Sequence, residues 1–150
     1  MAKQIIIATH SDLAEGFKAA LKFFSGTDEN VHSICAFSKD IKPEESIDKC
    51  LEEIPAGDKV IVFTDIAGGS VNQLFSKKLI NHDFFLVTGT NLSLLLELSL
   101  LPEDELNEPK ILEIIEQAKC GIKFVNREYF DTLRKFDTDP ANEESDNFFN

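Results

Sequence analysis

Short apolar runs recur along the chain at Ile5–Ala8, Val31–Phe37, Val60–Phe63 and Phe84–Val87, and each is followed by a stretch whose apolar residues fall at helical spacing. Such alternation implies βαβ units and a parallel sheet with helices on both faces. After the first run, Leu13, Phe17, Ala20, Leu21 and Phe24 form the inward stripe of a helix, and Gly26 stands where a C-terminal cap is wanted. After the second, Pro43 suits the first turn of a helix whose stripe is Ile47, Cys50, Leu51 and Ile54, with Pro55 just past its end. After the third, Ser70 is placed to cap a helix that turns Val71, Leu74, Phe75 and Leu79 inward. Lys77 and Lys78 lie in its C-terminal half, where the helix dipole favours cations.

Asn91 then caps a short helix, Leu92–Leu100, that is apolar nearly all round. Such a helix is covered on more than one side, and another subunit is the expected second cover. Asn107-Glu108-Pro109 opens a further helix with Ile111, Leu112, Ile115 and Ala118 inward, closed by Gly121. The run Ile122–Tyr129 reads as one more strand. From Asp137 to Asn150 there are five acidic residues and no basic ones, a composition that resists packing. The expected organisation is therefore one domain, residues 1–136, and an acidic disordered tail, residues 137–150.

Composition narrows the function classes. With 150 residues and 43% apolar content the chain can build one well-buried core. A formal charge of −12 disfavours nucleic-acid phosphates and anionic lipid as partners. Cys35, Cys50 and Cys120 are odd in number, widely spaced and not preceded by a signal-like segment, which points to a reducing, cytoplasmic setting and to buried apolar roles. The densest apolar stretch, Leu92–Leu101, is half of the ~20 residues a membrane span needs.

Candidate chemistry lies in the turns that follow the first and third runs. In an open parallel sheet, ligands bind beyond the carboxyl ends of the strands, where the strand order reverses. If the order is 2-1-3-4, the first and third strands are neighbours, and His10 meets Asp65. A carboxylate that accepts a hydrogen bond from one imidazole nitrogen fixes the tautomer and leaves the other lone pair facing the crevice, able to attack phosphorus. The attacking ring gains positive charge, which Asp65 stabilises, while the phosphoryl oxygens need donors already in place. Gly68-Gly69-Ser70, a helix N-terminus and the free amides of Ser11 and Asp12 can supply them, with no metal and no cofactor.

Each piece also has an ordinary reading: a histidine satisfied at a strand end, an aspartate shaping its own turn, a glycine loop with a helix cap. His32 and His82 fall at the opposite edge of the sheet and read as solvated. A zinc site needs about three converging ligands, and only His10 and Asp65 converge. Thr9-His10-Ser11-Asp12 lacks the acidic residues of a phospho-aspartate receiver and the Gly-x-Gly-x-x-Gly of a dinucleotide site.

Ile5-Ile6-Ile7-Ala8-Thr9-His10-Ser11 and Thr64-Asp65-Ile66-Ala67-Gly68-Gly69-Ser70-Val71-Asn72 resemble the mannose-type enzyme IIA of the bacterial phosphoenolpyruvate-dependent sugar phosphotransferase system, over roughly residues 3–125. The resemblance implies a four-stranded parallel sheet extended by a strand exchanged within a homodimer, with Leu92–Leu101 and Ile122–Tyr129 as dimer elements. It implies that His10 takes a phosphoryl group from phospho-HPr and passes it to an enzyme IIB serving a membrane permease. Asp65 then orients the histidine, and Ser70 with its glycines forms the phosphate loop. Val71 departs from the family, which often has proline there. Two other functions fit the same fold: the phosphotransfer subunit of a dihydroxyacetone kinase, whose second turn usually lacks the full Gly-Gly-Ser-x-Asn pattern, and a regulatory module that senses phosphorylation.

Overall fold

The computed structural model describes residues 1–38 and 42–137. Four parallel strands, β1 (Lys3–His10), β2 (Val31–Ala36), β3 (Lys59–Thr64) and β4 (Phe85–Val87), form one sheet in the order β2-β1-β3-β4. The expected α/β class and strand order are those observed. β1 and β3 are central, and their inner residues are buried on both faces, as the near-continuous apolar runs require. Pairing of Ala8 with Thr64 and of His10 with Ala36 sets the ends of β1, β2 and β3 side by side at one edge.

Alternation along β1 divides the core. Ile5 and Ile7 face α1 (Leu13–Ser25), α4 (Leu92–Leu100) and α5 (Glu108–Cys120), packing with Ala14, Leu21, Leu95, Leu98 and Ile111. Ile6 and Ala8 face α2 (Pro43–Glu53) and α3 (Ser70–Lys78), packing with Ile47, Val71 and Phe75. Burying each of the larger side chains here, the isoleucines, leucines, Val71 and Phe75, is worth about 1.5–3 kcal/mol, which fixes strand register because a slip of one residue would exchange the two faces.

Helix ends follow the capping signals. Gly26 closes α1 in the left-handed conformation at φ 80°, Pro43 opens α2, and the Asn91 side chain accepts from Leu94 N–H at 2.9 Å. The stripes drift where a helix is wider than its apolar face. Ala14 is buried in α1 while Leu13 and Phe24 are exposed; Ile114 replaces Leu112 on the inner face of α5; Leu79, just past α3, is exposed. Leu94, Leu95 and Leu98 of α4 are covered within the single chain, while Leu100 on its other side is exposed. Its C-terminal carbonyls are held by Lys3, whose ammonium bonds Leu98, Ser99 and Leu101, while Lys59 bonds Glu103 and Leu106 in and after the 3₁₀ turn Glu103–Glu105. Burial pulls the Lys3 pKa down, against a smaller opposing effect of Glu103.

The first compact unit is Met1–Ala118, and a second begins at Lys119. Residues 122–126 lack regular structure and α6 (Arg127–Asp137) follows, so the run expected as a strand ends in a helix. Asn126 explains the switch: its side chain accepts from Tyr129 N–H at 2.8 Å, a cap embedded in an otherwise strand-like composition. Phe130 of α6 lies beneath the Arg134 guanidinium at 6.0 Å. The acidic tail beyond Asp137 lies outside the described residues.

Cys35 and Cys50 are partly buried, as small apolar residues, but Cys120 is exposed. His82 is exposed as expected. His32 is not simply solvated: its Nε2 contacts Gln4 Oε1 at 2.9 Å, and Gln4 Nε2 donates onward to Asp58 at 2.8 Å, which also accepts from Ala2 N–H. Among the described residues no helix is long and apolar enough to cross a membrane.

Candidate functional site

β1 ends at His10 and β3 at Thr64, so the two turns of interest leave adjacent strands at the same edge. Asp65, one residue beyond the ladder, extends it with a side chain: Oδ2 accepts the His10 backbone N–H at 2.9 Å and meets the ring Nδ1 of the same histidine at 2.9 Å. Oδ1 accepts from Ile66 N–H at 2.9 Å. Burial alone would raise the Asp65 pKa, but the two bonds from His10, the charge of its ring and the Ile66 amide together outweigh burial and hold the carboxyl below its ordinary range.

An ionised carboxylate only accepts, so the proton in this contact sits on Nδ1. In the neutral form of the ring Nε2 is then an acceptor, and it meets Ser70 Oγ at 2.9 Å. The arrangement is linear in function: carboxylate, imidazole, hydroxyl. The Asp65 side chain is 10% exposed and that of His10 36%, so the orienting group is sheltered and the ring reaches solvent.

The loop places Ser70 differently from the cap that its sequence suggests. Gly69 occupies the N-cap position, no side chain caps α3, and Ser70 is the first helical residue, its hydroxyl turned to the histidine. Gly68 takes φ 70°, a region glycine enters freely. A Cβ on Gly69 would stand 3.1 Å from Ile66 O and 3.4 Å from His10 Cε1, so this glycine lets the loop lie against the ring.

The expected donor set needs correction in part. Ser11 N–H is not free but donates to Ala36 O at 2.8 Å, with Ser11 at φ 53°. Gly68 N–H donates to Asn72 Oδ1 at 3.1 Å and Gly69 N–H to Ile66 O at 3.0 Å. The donors that helix geometry leaves without intrahelical acceptors are those of the first turn of α3, beginning with Ser70 and Val71.

Residues outside the expected set shape the site. Thr9 Oγ1 accepts from Ala14 N–H at 2.7 Å and so caps α1 in place of Asp12. Asn72 ties the glycine loop to β3, donating to Thr64 Oγ1 at 3.3 Å. Phe37, expected inside β2, lies one residue past it and stacks on His10, with ring centroids 5.7 Å apart and planes 19° from parallel. The polar residues after Phe37 were the available sign that the strand had ended. Among the described residues no group of three His, Cys, Asp or Glu side chains is placed to hold a metal.

Residues 4–116 match the family of PTS system fructose IIA components, EIIA-man. The chain belongs to that family. Membership implies a phosphoryl-carrier role in the sugar phosphotransferase system. Among solved structures, the chain is similar to a protein assigned to the phosphoenolpyruvate-dependent sugar phosphotransferase system of Klebsiella pneumoniae, at 29% identity and TM-score 0.76, covering 85% of this chain and 94% of that one. It is also similar to the PTS IIA protein associated with the fucose utilization operon of Streptococcus pneumoniae, at 26% identity and TM-score 0.72 over 85% and 96%. The mannose/sorbose-specific IIA subunit of Enterococcus faecalis shares the fold at 16% identity and TM-score 0.69, over 84% and 96%. No curated protein sequence matches the chain significantly.

Proposed function

We propose that this EIIA-man protein carries its phosphoryl group on His10 Nε2, accepting it from phospho-HPr and passing it to an enzyme IIB that serves a sugar permease. The observation that carries this reading is the Asp65–His10–Ser70 chain, in which one ring nitrogen is committed to a sheltered carboxylate and the other faces a hydroxyl at an open edge. The Nε2 lone pair forms the N–P bond as the bond from phosphorus to the donor breaks, and that electron pair leaves with the donor. Nδ1 keeps its proton throughout. The ring becomes cationic, Asp65 balances it, and Ser70 Oγ–H moves its hydrogen bond from Nε2 to a phosphoryl oxygen. The first-turn amides of α3 supply the remaining donors, Gly68 and Gly69 let the loop approach the phosphoryl oxygens, and Ser11 contributes its hydroxyl rather than its amide. Onward transfer is the same step in reverse.

The working unit in this reading is residues 1–136, in a cytoplasmic homodimer. Ile122, Phe124 and Val125 are exposed and offer an apolar segment that exchange between copies would cover. Incubation with phosphoenolpyruvate, enzyme I and HPr should give an acid-labile, base-stable adduct that His10→Ala abolishes; an adduct that survives this substitution removes His10 from the role. Failure to pass the group to any IIB would instead favour a regulatory module, and exchange with a dihydroxyacetone kinase would favour that system.

A further inference from the structure

We infer that Phe37 is the positioning residue for the His10 ring, holding its plane and supporting its cationic, phosphoryl-bearing form; this rests on the carrier reading above. The contact is a near-parallel stack, at a centroid distance inside the range of favourable ring pairs. Asp65 and Ser70 act in the plane of the imidazole, at its two nitrogens, so neither blocks tilting across that plane. A stacked ring does. The face of an aromatic ring is also its negative pole, so the stack favours the imidazole most when it is charged.

The backbone shows how firmly Phe37 is held there. Its φ is 60°, a left-handed conformation that is unfavourable for a bulky residue and persists only where surrounding contacts impose it. Those contacts flank it on both sides. Before it, Ala36 O accepts from Ser11 N–H at 2.8 Å; after it, Ser38 Oγ donates to Asp12 Oδ1 at 2.9 Å. Both bonds reach the turn that follows His10, so the turn carrying the nucleophile and the turn carrying its stacking partner form one braced unit. Ser11, also at positive φ, is the other strained residue of that unit. Phe37 nevertheless stays 57% exposed, so core burial does not account for its place.

The test compares wild type, Phe37→Leu, Phe37→Tyr and Phe37→Gly by His10 ring-proton NMR and by phosphoryl-transfer kinetics from phospho-HPr. Phe37→Leu should move the His10 ring resonances away from their ring-current-shifted positions and lower kcat about threefold to thirtyfold with KM for the donor little changed. Phe37→Tyr should restore both. Phe37→Gly, which suits the backbone, should keep or raise the thermal midpoint while transferring slowly, separating positioning from folding. Unmoved His10 resonances in Phe37→Leu overturn the inference, as does a loss lying wholly in KM, the mark of a partner-docking surface shared with exposed Ile66 and Leu13. The NMR arm needs no phosphorylation: a wild type that takes no phosphoryl group refutes the carrier reading, while the resonances still decide whether Phe37 positions the ring.

Discussion

Asp65 serves two masters at the residue scale, closing the end of the β1–β3 ladder and orienting a side chain. Asp65→Asn keeps an oxygen for the backbone N–H but loses the charge that balances the ring. We expect transfer to fall about 10²- to 10⁴-fold, with a stability loss under about 1.5 kcal/mol; denaturant titration and transfer kinetics on one preparation check both. The folded-state pKa of Asp65 is depressed, so the unfolded chain protonates it first as pH falls. Its contribution to stability is present above the ordinary carboxylate pKa of 3.8 and is lost as pH drops through the lower folded value. The difference between wild type and Asp65→Asn should therefore shrink in acid. Cysteines give a second residue-scale test. Burial, helped by Glu53, pushes the Cys50 thiol up to about 11, whereas Cys120 is exposed. Alkylation near pH 8 should modify Cys120 first and leave Cys50 largely intact, because the thiolate is the reacting form; equal rates at both would contradict this.

Elements were legible where one signal dominated. Apolar runs gave the four strands, and Gly26, Pro43 and Asn91 marked helix ends, because backbone φ or a side-chain acceptor decides those positions locally. Ambiguity entered where two local roles competed. Ser70 has the chemistry of a cap, but Gly69 satisfies the backbone at that position, which frees the hydroxyl for His10. Phe37 continues an apolar run, and hydrophobicity does not report where a ladder stops. Asn126 was hidden in a strand-like run because its capping bond depends on the helix that follows. The lysines at the start of β1 and β3 were also silent in the pattern, since their acceptors are carbonyls far along the chain. Lys3 bonds the C-terminal carbonyls of α4 from a half-buried position, so Lys3→Met should cost about 1–3 kcal/mol through unsatisfied carbonyls while leaving phosphoryl transfer per folded molecule unchanged. Urea unfolding beside the transfer assay separates the two effects; a stable variant would show that water replaces the ammonium.

On the scale of the whole molecule, the site was legible because it is a consequence of topology. Once β1 and β3 are neighbours, His10 and Asp65 must meet. The donor set was less so, because whether an amide is free depends on turns whose dihedrals no pattern states. The opposite edge of the sheet carries the network of His32, Gln4, Asp58 and the N-terminal backbone. Burial, then the charge of Lys18, lowers the His32 pKa against a smaller pull from Glu53. The sign follows: the unfolded chain binds the proton more readily, so stability is full above the ordinary histidine value of 6.5 and declines as pH falls below it. A second loss follows in more acid solution, where Asp58 and Asp65, both depressed by hydrogen bonds, are protonated. Unfolding free energy measured against pH should show both steps, and His32→Gln should remove only the first.

The pair of hydrogen bonds from His10 to one carboxylate oxygen has a mechanical meaning. Backbone N–H, side chain and acceptor close into a small chelate, so the imidazole cannot turn in its own plane without giving up the Nδ1 link, while Phe37 opposes tilting across that plane. Its reactive nitrogen is thus offered at one fixed bearing. In the proposed carrier role, a phosphoryl donor would meet a nitrogen whose bearing is set before docking.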